Sequence, residues 1–242
     1  MKKTISKSLL FSIFFLAFGF VSNAQITTGK ITFERKTNLL KRFSDPNMVR
    51  WLGEKNKTRI DLFDLYFNDS MSLFVPQDIV GTDEFSWTTN RNTVYQNIKQ
   101  QSRLSILNVW GENLYVQDSL VNRKWKITDS KRKIGKYECR KAIWEVNDST
   151  RIYAWFSDEI IPSVGPETFT GLPGAILGVA NEDGGVIYFA KTIEIQNPDM
   201  TSLAPKIGKN KTLTSAELRV KLEKQFGSKP EFKGFIVDLF TW

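Results

Sequence analysis

The sequence predicts a mainly β protein, built as a single antiparallel sheet that is curved or partly closed, with one amphipathic helix near the C-terminus. Two observations predict the sheet: short runs of alternating apolar and polar residues recur along the chain, and clusters of turn-forming residues separate them. A third observation predicts the helix, because residues 214–226 combine a capping signal with apolar residues at helical spacing.

The strand pattern begins early in the chain. In residues 29–37, the apolar side chains of Ile31 and Phe33 alternate with polar ones, as on a strand with one buried face. The clearest hairpin turn is residues 181–185, Asn-Glu-Asp-Gly-Gly, because these residue types favour tight turns. The remaining predicted strands are residues 59–67, 71–75, 93–98, 103–110, 113–118, 124–128, 137–146, 151–157, 175–180 and 186–195.

The predicted C-terminal helix begins with a capping box, in which the side chains of Thr214 and Glu217 each bond the other's backbone N–H. Leu218, Leu222 and Phe226 follow at intervals of four residues. Such spacing places apolar side chains on one side of a helix. We therefore expect this helix to cover part of one face of the sheet.

Two shorter segments complete the prediction. Asp45 and Pro46 provide an N-cap and a first-turn proline, which predicts a short helix over residues 48–52 that ends at Gly53. The final residues, 235–242, end in an aromatic residue and are predicted to form a terminal strand of the sheet.

Residues 1–24 are predicted to be a secretory signal peptide. A lysine-rich start precedes an apolar run, 9–21, that is too short for a permanent membrane anchor. Ser22 and Ala24 provide the small residues expected before a cleavage point. The mature chain, residues 25–242, is predicted to be a single domain without a transmembrane helix, exported to the periplasm or the outer-membrane periphery.

Charge and composition exclude several classes of function. Three of the 34 Lys and Arg residues fall in the predicted signal, so 31 accompany 26 acidic residues in the mature chain. This excess suits an anionic lipid surface but is too small to indicate nucleic acid as a partner. The absence of histidine excludes Ser-His-Asp and Cys-His catalysis and histidine metal sites. Cys139 is the single cysteine and is expected to be a buried, structural thiol; no cofactor and no metal are predicted.

Residues 165–177 read Gly-Pro-Glu-Thr-Phe-Thr-Gly-Leu-Pro-Gly-Ala-Ile-Leu. Their second half, 171–177, closely resembles the motif that names the GLPGLI family of secreted Gram-negative envelope proteins. Residues 134–139 and 151–156 are similar to two strands of that family, and the resemblance extends over about residues 120–195. It implies export to the cell envelope, but the family has no established activity that could be transferred to this chain.

The first candidate site is the corner formed by Gly171, Leu172, Pro173 and Gly174. Pro173 fixes its own φ and Gly174 permits a positive φ, which predicts a type II turn leading into the next strand. The corner either sets the register of that strand or lines the mouth of a pocket or a partner contact.

The second candidate site is one face of a predicted strand. Arg151, Tyr153 and Trp155 alternate onto this face, where they would stack on planar rings and pair with a carboxylate or phosphate. Alternatively, the two rings pack under loops and Arg151 pairs with a surface acid. A basic block, residues 123–141, would bind anionic lipid or would form a solvated hairpin.

The predicted function is that of a non-enzymatic binding or accessory protein of the periplasm or outer membrane. Its 18 Phe and 7 Trp would line a concave sheet that holds an apolar or lipid ligand, or the protein would dock to an outer-membrane protein. One alternative is a histidine-free hydrolase that uses carboxylates, with residues 158–159 and 182–183 as candidates. Another is an integral outer-membrane β-barrel, which the helix at 214–226 and Asp238 argue against.

Overall fold

The computed structural model describes residues 25–43, 45–79, 83–109 and 112–242. These residues form one open sheet of 12 strands, which confirms the mainly β class, although the sheet does not close on itself. The predicted signal peptide, residues 1–24, lies outside the described residues. The strands are β1 Gly29–Asn38, β2 Thr58–Phe67, β3 Met71–Pro76, β4 Thr93–Asn97, β5 Ser102–Val109, β6 Glu112–Ser119, β7 Lys126–Ile134, β8 Tyr137–Asn147, β9 Thr150–Ser157, β10 Ala175–Asn181, β11 Val186–Glu194 and β12 Thr212–Leu213.

Two antiparallel meanders meet at the first strand. Strands β1 to β6 are consecutive neighbours in the sheet, as are strands β7 to β11, and β1 pairs with both β2 and β11. The pairing of β1 with β2 runs without a break from Gly29 opposite Phe67 to Asn38 opposite Thr58. The short β12 adds a parallel pair beside β6. Strand β1 is therefore the element that joins the two halves of the sheet.

Asparagine side chains close two of the predicted hairpins. Asn68 Oδ1 accepts a hydrogen bond from Met71 N at 2.8 Å, in the turn between β2 and β3. Between β10 and β11, Asn181 Oδ1 accepts from Val186 N at 2.8 Å, and Gly184 adopts a φ of 68°. Both hairpin predictions are confirmed, because the signals that specify them lie within a few residues of each turn.

Five α-helices accompany the sheet in the described residues: α1 Leu39–Arg42, α2 Pro46–Leu52, α3 Met200–Leu203, α4 Ser215–Phe226 and α5 Pro230–Thr241. The predicted capping box of α4 is confirmed, because Glu217 N donates to Thr214 Oγ1 at 3.2 Å and Thr214 N donates to Glu217 Oε2 at 2.7 Å. The buried side chains of Leu218 and Leu222 pack α4 against β6 and α5. Within the described ranges, none of the helices has the length and apolar character needed to cross a membrane.

The predicted terminal strand over residues 235–242 is wrong, because α5 occupies this part of the chain. Ile236 and Leu239, three positions apart, are both buried against α4 and β6, as the helical period requires. Pro230 lies in the first turn, where its missing N–H costs nothing. A short apolar run fits both the strand and the helix period, so tertiary packing decides between them.

The core divides into two clusters of buried side chains. The larger cluster includes Phe63 of β2 and Phe156 of β9 and extends over both meanders. The smaller cluster joins Leu107 of β5 to Leu218 and Leu239 of the two C-terminal helices. Polar side chains, among them Ser105 and Glu167, border the space between these clusters.

Cys139 lies in the larger cluster and is fully buried. Burial raises the pKa of its thiol to about 11, so the reactive thiolate is scarce at neutral pH. The expected burial of this thiol is confirmed.

Candidate binding cavity

The segment between β9 and β10, residues 158–174, enters the interior of the protein; we call it the inner segment. Val164, Phe169 and Leu172 on this segment are each at most 2% exposed and belong to the larger core cluster. Connections between strands usually run over the surface, where water can satisfy their polar groups. Polar side chains on the inner segment must instead find partners within the protein.

Glu167 is a buried acid at the middle of the inner segment. The residue is 2% exposed, and its φ of 51° is uncommon for a residue other than glycine. Tyr188 OH donates to Glu167 Oε1 at 2.7 Å, and Gln96 Nε2 donates to the Glu167 carbonyl at 3.1 Å. Burial raises the pKa of the Glu167 carboxyl, and the neighbouring side chains of Arg35, Tyr188 and Asn92 offset only part of that rise. The neutral, protonated acid is therefore favoured more than for an exposed glutamate.

Arg35 connects Glu167 to a second buried acid. Arg35 Nη2 donates to Asp61 Oδ2 at 2.7 Å, and Arg35 Nη1 lies 3.8 Å from Glu167 Oε1. Asp61 also accepts from Arg59 Nε at 3.0 Å and from Thr89 Oγ1 at 2.9 Å. Burial alone would raise the pKa of Asp61, but the two guanidiniums and the Thr89 hydroxyl hold it below its ordinary value. Two acids beside one guanidinium thus have pKa shifts in opposite directions.

A cavity of about 400 Å³ lies between the inner face of β4 to β6 and the helices α4 and α5. Val94, Leu107 and Val116 form an apolar wall on the sheet side. Ala216 and Arg219 of α4 line the other side and are exposed, so the cavity opens to solvent beside this helix. Its volume falls within the range typical of small-molecule sites.

Four polar side-chain atoms in the cavity wall are unpaired. Asn92 Oδ1, Arg103 Nε, Ser105 Oγ and Glu167 Oε2 are buried and have no hydrogen-bond partner among the described residues. An unpaired buried polar atom costs about 1–3 kcal/mol, so native proteins rarely retain one without water or a ligand to satisfy it. The cavity therefore combines an apolar wall with a cluster of unused hydrogen-bonding groups.

The predicted strand face of Arg151, Tyr153 and Trp155 is part of β9 but does not line the cavity. Arg151 Nη1 lies 3.3 Å from Glu182 Oε1, and Tyr153 OH donates to the same oxygen at 2.9 Å. Trp155 packs against Phe189 with ring centroids 5.9 Å apart. These three side chains form the outer face of β9, and the polar atoms of Arg151 and Tyr153 find partners on that surface. Whether they also bind a ligand stays a prediction.

The predicted type II turn, with Pro173 and Gly174 at its second and third positions, is wrong in its hydrogen bonding. Gly174 N donates to Leu172 O at 2.8 Å, which makes the corner a γ-turn. Ala175 N donates instead to Ile160 O at 2.8 Å and does not close a four-residue turn. The need for glycine is nevertheless real, because Gly174 has a φ of 136°. None of the four corner residues lines the cavity.

The predicted basic block is divided between the surface and the interior. Lys131 and Arg140 are exposed on the hairpin of β7 and β8, where Lys131 Nζ pairs with Glu138 Oε1 at 2.7 Å. Arg123, at the start of the block, is instead 5% exposed. The exposed part forms the expected hairpin, and its contact with anionic lipid stays a prediction.

Sequence reasoning did not identify Glu167 or Arg103 as site residues. One signal for Glu167 was available, since it is the sole charged residue in the run 165–177. A second signal was the alternation that places Arg103 on the same face of β5 as Leu107. Neither signal shows that the two side chains line one cavity, because the inner segment and β5 are distant in sequence.

Residues 144–178 match the model of a family described as a protein of unknown function (Porph_ging). The match covers the end of β8, all of β9, the inner segment and the start of β10. No functionally curated protein matches the chain.

Among solved structures, the chain is similar to PNGF-II in a C2 and in a P21 crystal form, at 18% and 17% sequence identity with TM-scores of 0.53 and 0.51. Each alignment covers 78% of this chain but 31% of the PNGF-II chain, so this chain spans about a third of that protein. An uncharacterized conserved protein from Thermus thermophilus aligns over 79% of this chain and 92% of its own, with 8% identity and a TM-score of 0.42. At these identities the PNGF-II likeness concerns the fold alone.

Proposed function

We propose that the protein is a non-enzymatic binding protein that holds one small amphipathic molecule in the cavity between β4 to β6 and the helices α4 and α5. The main support is that an apolar wall and four unpaired polar atoms line the same cavity of about 400 Å³. At about 30 Å³ for each water-sized atom, such a space holds roughly 13 non-hydrogen atoms.

The arrangement favours a ligand with a polar head and an apolar body. In the empty protein, water can partner Asn92, Arg103, Ser105 and Glu167. A ligand head that replaces this water keeps those hydrogen bonds, while its body covers the apolar wall and gains the hydrophobic contribution. An amphipathic ligand is a narrower version of the apolar or lipid ligand that the aromatic content predicts.

Filling the cavity tests this proposal. Val116, 2% exposed, lines the cavity, whereas Val220 on α4 is 65% exposed. Val116→Phe should remove binding of 1-decanol, a neutral amphipath of suitable size, and the matched Val220→Phe should leave it unchanged. Isothermal titration calorimetry measures the affinity, and circular dichroism checks that both variants fold. Binding of decanol that persists in folded Val116→Phe, or no binding to the unmodified protein, would contradict the proposal.

The proposal includes a place in the cell envelope, either the periplasm or the outer-membrane periphery. Its support is the signal-peptide pattern of residues 1–24 and the resemblance of residues 171–177 to the GLPGLI motif. Docking to an outer-membrane protein, and contact of the β7–β8 hairpin with anionic lipid, belong to the same proposal. N-terminal sequencing of the exported protein should find Gln25 first, and retention of residues 1–24 would contradict export by cleavage.

A histidine-free hydrolase is the second candidate, and one observation favours it. Glu167 combines a raised pKa, a positive φ and a free carboxyl oxygen in the cavity wall, as catalytic acids often do. However, Asp61 does not line the cavity, and Arg35, Arg59 and Thr89 occupy its oxygens. Assays on ester, peptide and glycan panels decide between the candidates: turnover that disappears in Glu167→Gln would establish the hydrolase, and no turnover would disfavour it.

A further inference from the structure

Arg103 projects into the cavity without an ion-pair partner. Its Nη2 donates to Ser215 Oγ at 3.0 Å, and its Nε has no partner among the described residues. Asp118 lies opposite it on β6, but that carboxylate accepts hydrogen bonds from Ser215 N at 3.1 Å and Ser119 N at 2.8 Å. No carboxylate oxygen of a described residue comes within 4.0 Å of the Arg103 guanidinium. Burial lowers the pKa of Arg103, and the charge of Asp118, which also lines the cavity, offsets only part of that shift. The cavity wall thus contains a cation whose charge is only partly balanced.

Arg123 is a second buried cation close to the cavity, and its partners are all neutral. Its guanidinium donates to Thr168 O and Thr168 Oγ1, each at 2.7 Å, and to Thr241 O at 3.3 Å. It also lies 4.2 Å from the centre of the Phe169 ring. Burial, together with the nearby charge of Arg103, lowers the pKa of Arg123 to about 9. The two arginines therefore raise the positive potential at this end of the cavity.

The fully buried Arg35 shows how the same protein treats an arginine with acidic partners. Arg35 Nη2 pairs with Asp61 Oδ2 at 2.7 Å. Burial alone would lower the pKa of Arg35, but Tyr188, Asp61 and Glu167 raise it above its ordinary value. Neither arginine beside the cavity forms an ion pair with a described residue, and Asp118 balances the charge of Arg103 only in part. A negatively charged group in the cavity would therefore supply a direct partner.

Glu167 can assist an anion at the same end of the cavity. Gln96 is the cross-strand neighbour of Arg103 and bonds the Glu167 carbonyl, so the three residues lie together. Tyr188 already donates to Glu167 Oε1, which leaves Oε2 free. A protonated Glu167 would donate from this oxygen to an oxygen of the anion, as neutral carboxyl groups in apolar sites do.

We infer that the cavity takes an amphipathic anion, with its carboxylate or phosphate head between Arg103 and Glu167 and its apolar body along Val94, Leu107 and Val116. The inference rests on the proposed binding function and narrows its ligand class. A hydrogen bond to a charged partner contributes about 1.5–3 kcal/mol, so the anionic head should strengthen binding by roughly 10- to 100-fold over a neutral head.

Four ligands with a ten-carbon chain separate the effect of head-group charge from that of the apolar chain. Decanoate and decyl phosphate have anionic heads, 1-decanol has a neutral head and decylamine has a cationic head. Calorimetry on the unmodified protein should rank decanoate or decyl phosphate above decanol, and decanol above decylamine. In Arg103→Gln, the anion should bind about as weakly as decanol, and decanol should be unaffected. Arg103→Lys keeps the charge and should keep part of the preference for the anion. Arg132→Gln is the surface control, since Arg132 lies over Trp155 on the outer face of β9.

The outcomes distinguish this inference from the function on which it rests. Equal affinity for the two anions and decanol would overturn the anionic ligand and leave the binding function standing. No binding of any of the four ligands would overturn both. Loss of the anion preference in Arg132→Gln, but not in Arg103→Gln, would move the anion site to the outer surface and overturn the inference. Decanol binding by Arg103→Gln shows that this variant is folded.

Discussion

The outer face of β9 and the inner segment differ in how their polar groups are satisfied. On β9, Arg151 and Tyr153 share the Glu182 carboxylate, and Trp155 is packed against a neighbouring ring. On the inner segment, Glu167 Oε2 remains without a partner beside the cavity, within the described residues. Both regions combine charge with aromatic rings, yet one of them has unused hydrogen-bonding capacity. The proposed binding site therefore rests on unpaired polar atoms rather than on aromatic composition.

The largest expected effect is a loss of stability caused by a substitution in the inner segment. Gly174 of the inner segment has a φ of 136°, and a Cβ there would lie 2.1 Å from Ser157 O. Backbone strain and overpacking act together in Gly174→Ala, so the free energy of unfolding should fall by about 3–5 kcal/mol. Urea unfolding followed by circular dichroism measures this loss.

Gly171→Ala is the matched control for that substitution. Gly171 also has a positive φ, 92°, but its Cβ would meet Trp125 at 3.6 Å, an ordinary van der Waals distance. Only the backbone penalty applies, so we expect a loss of about 1–2 kcal/mol. Equal losses in Gly174→Ala and Gly171→Ala would show that the close approach of Gly174 to Ser157 adds nothing to the cost of the substitution.

Leu172→Ala should have the next largest effect. Leu172 is 2% exposed and belongs to the larger core cluster, whereas its neighbour Pro173 is exposed. We expect Leu172→Ala to lower the free energy of unfolding by about 2–4 kcal/mol, because the corner next to solvent can partly collapse. Pro173→Ala should change it by less than about 1 kcal/mol. The reverse order, from the same unfolding measurement, would contradict the burial of Leu172.

The sequence was sufficient for the parts of the fold that local signals specify. The hairpin at residues 181–185 and the capping box of Thr214 and Glu217 depend on residues within one turn, so both predictions are confirmed. The γ-turn was missed because Ala175 N bonds Ile160 O, a contact that the turn residues alone do not reveal. Helix α5 was missed because its apolar run suits either period.

The cavity could not be predicted for a different reason. Its polar end brings together Asn92, Arg103 and Glu167, which come from the approach to β4, from β5 and from the inner segment. Each of these residues resembles an ordinary surface residue when only its neighbours in sequence are considered. Unpaired atoms become visible only when all possible partners are placed, and that depends on the tertiary structure.

A smaller, pH-dependent effect tests the state of Glu167. Its folded-state pKa is raised by burial, so its contribution to stability is fully present below the ordinary pKa of 4.5 and is lost as pH rises through the raised value. Glu167→Gln keeps the acceptor for Tyr188 but cannot ionise. The stability of the unmodified protein relative to this variant should therefore decline as pH increases from about 4 towards neutrality, measured by urea unfolding at each pH. A difference that does not change with pH would contradict the raised pKa.

The smallest effects are expected on the outer face of β9. Tyr153→Phe removes one hydrogen bond to Glu182 at the surface and should lower the free energy of unfolding by less than about 1 kcal/mol. Arg151→Ala and Trp155→Ala should leave decanol and decanoate binding unchanged. Loss of ligand binding in either variant, with the fold intact by circular dichroism, would restore the outer face as the binding site.

Chemical-shift mapping of the backbone amides during titration with decanoate tests the central claim most directly, because it reports the site without any substitution. We predict that the shifts concentrate in β4, β5 and β6, around Glu167, and along the first turns of α4, while the amides of residues 151–155 stay unchanged. Shifts concentrated at residues 151–155, with none around Glu167 and Arg103, would contradict the account.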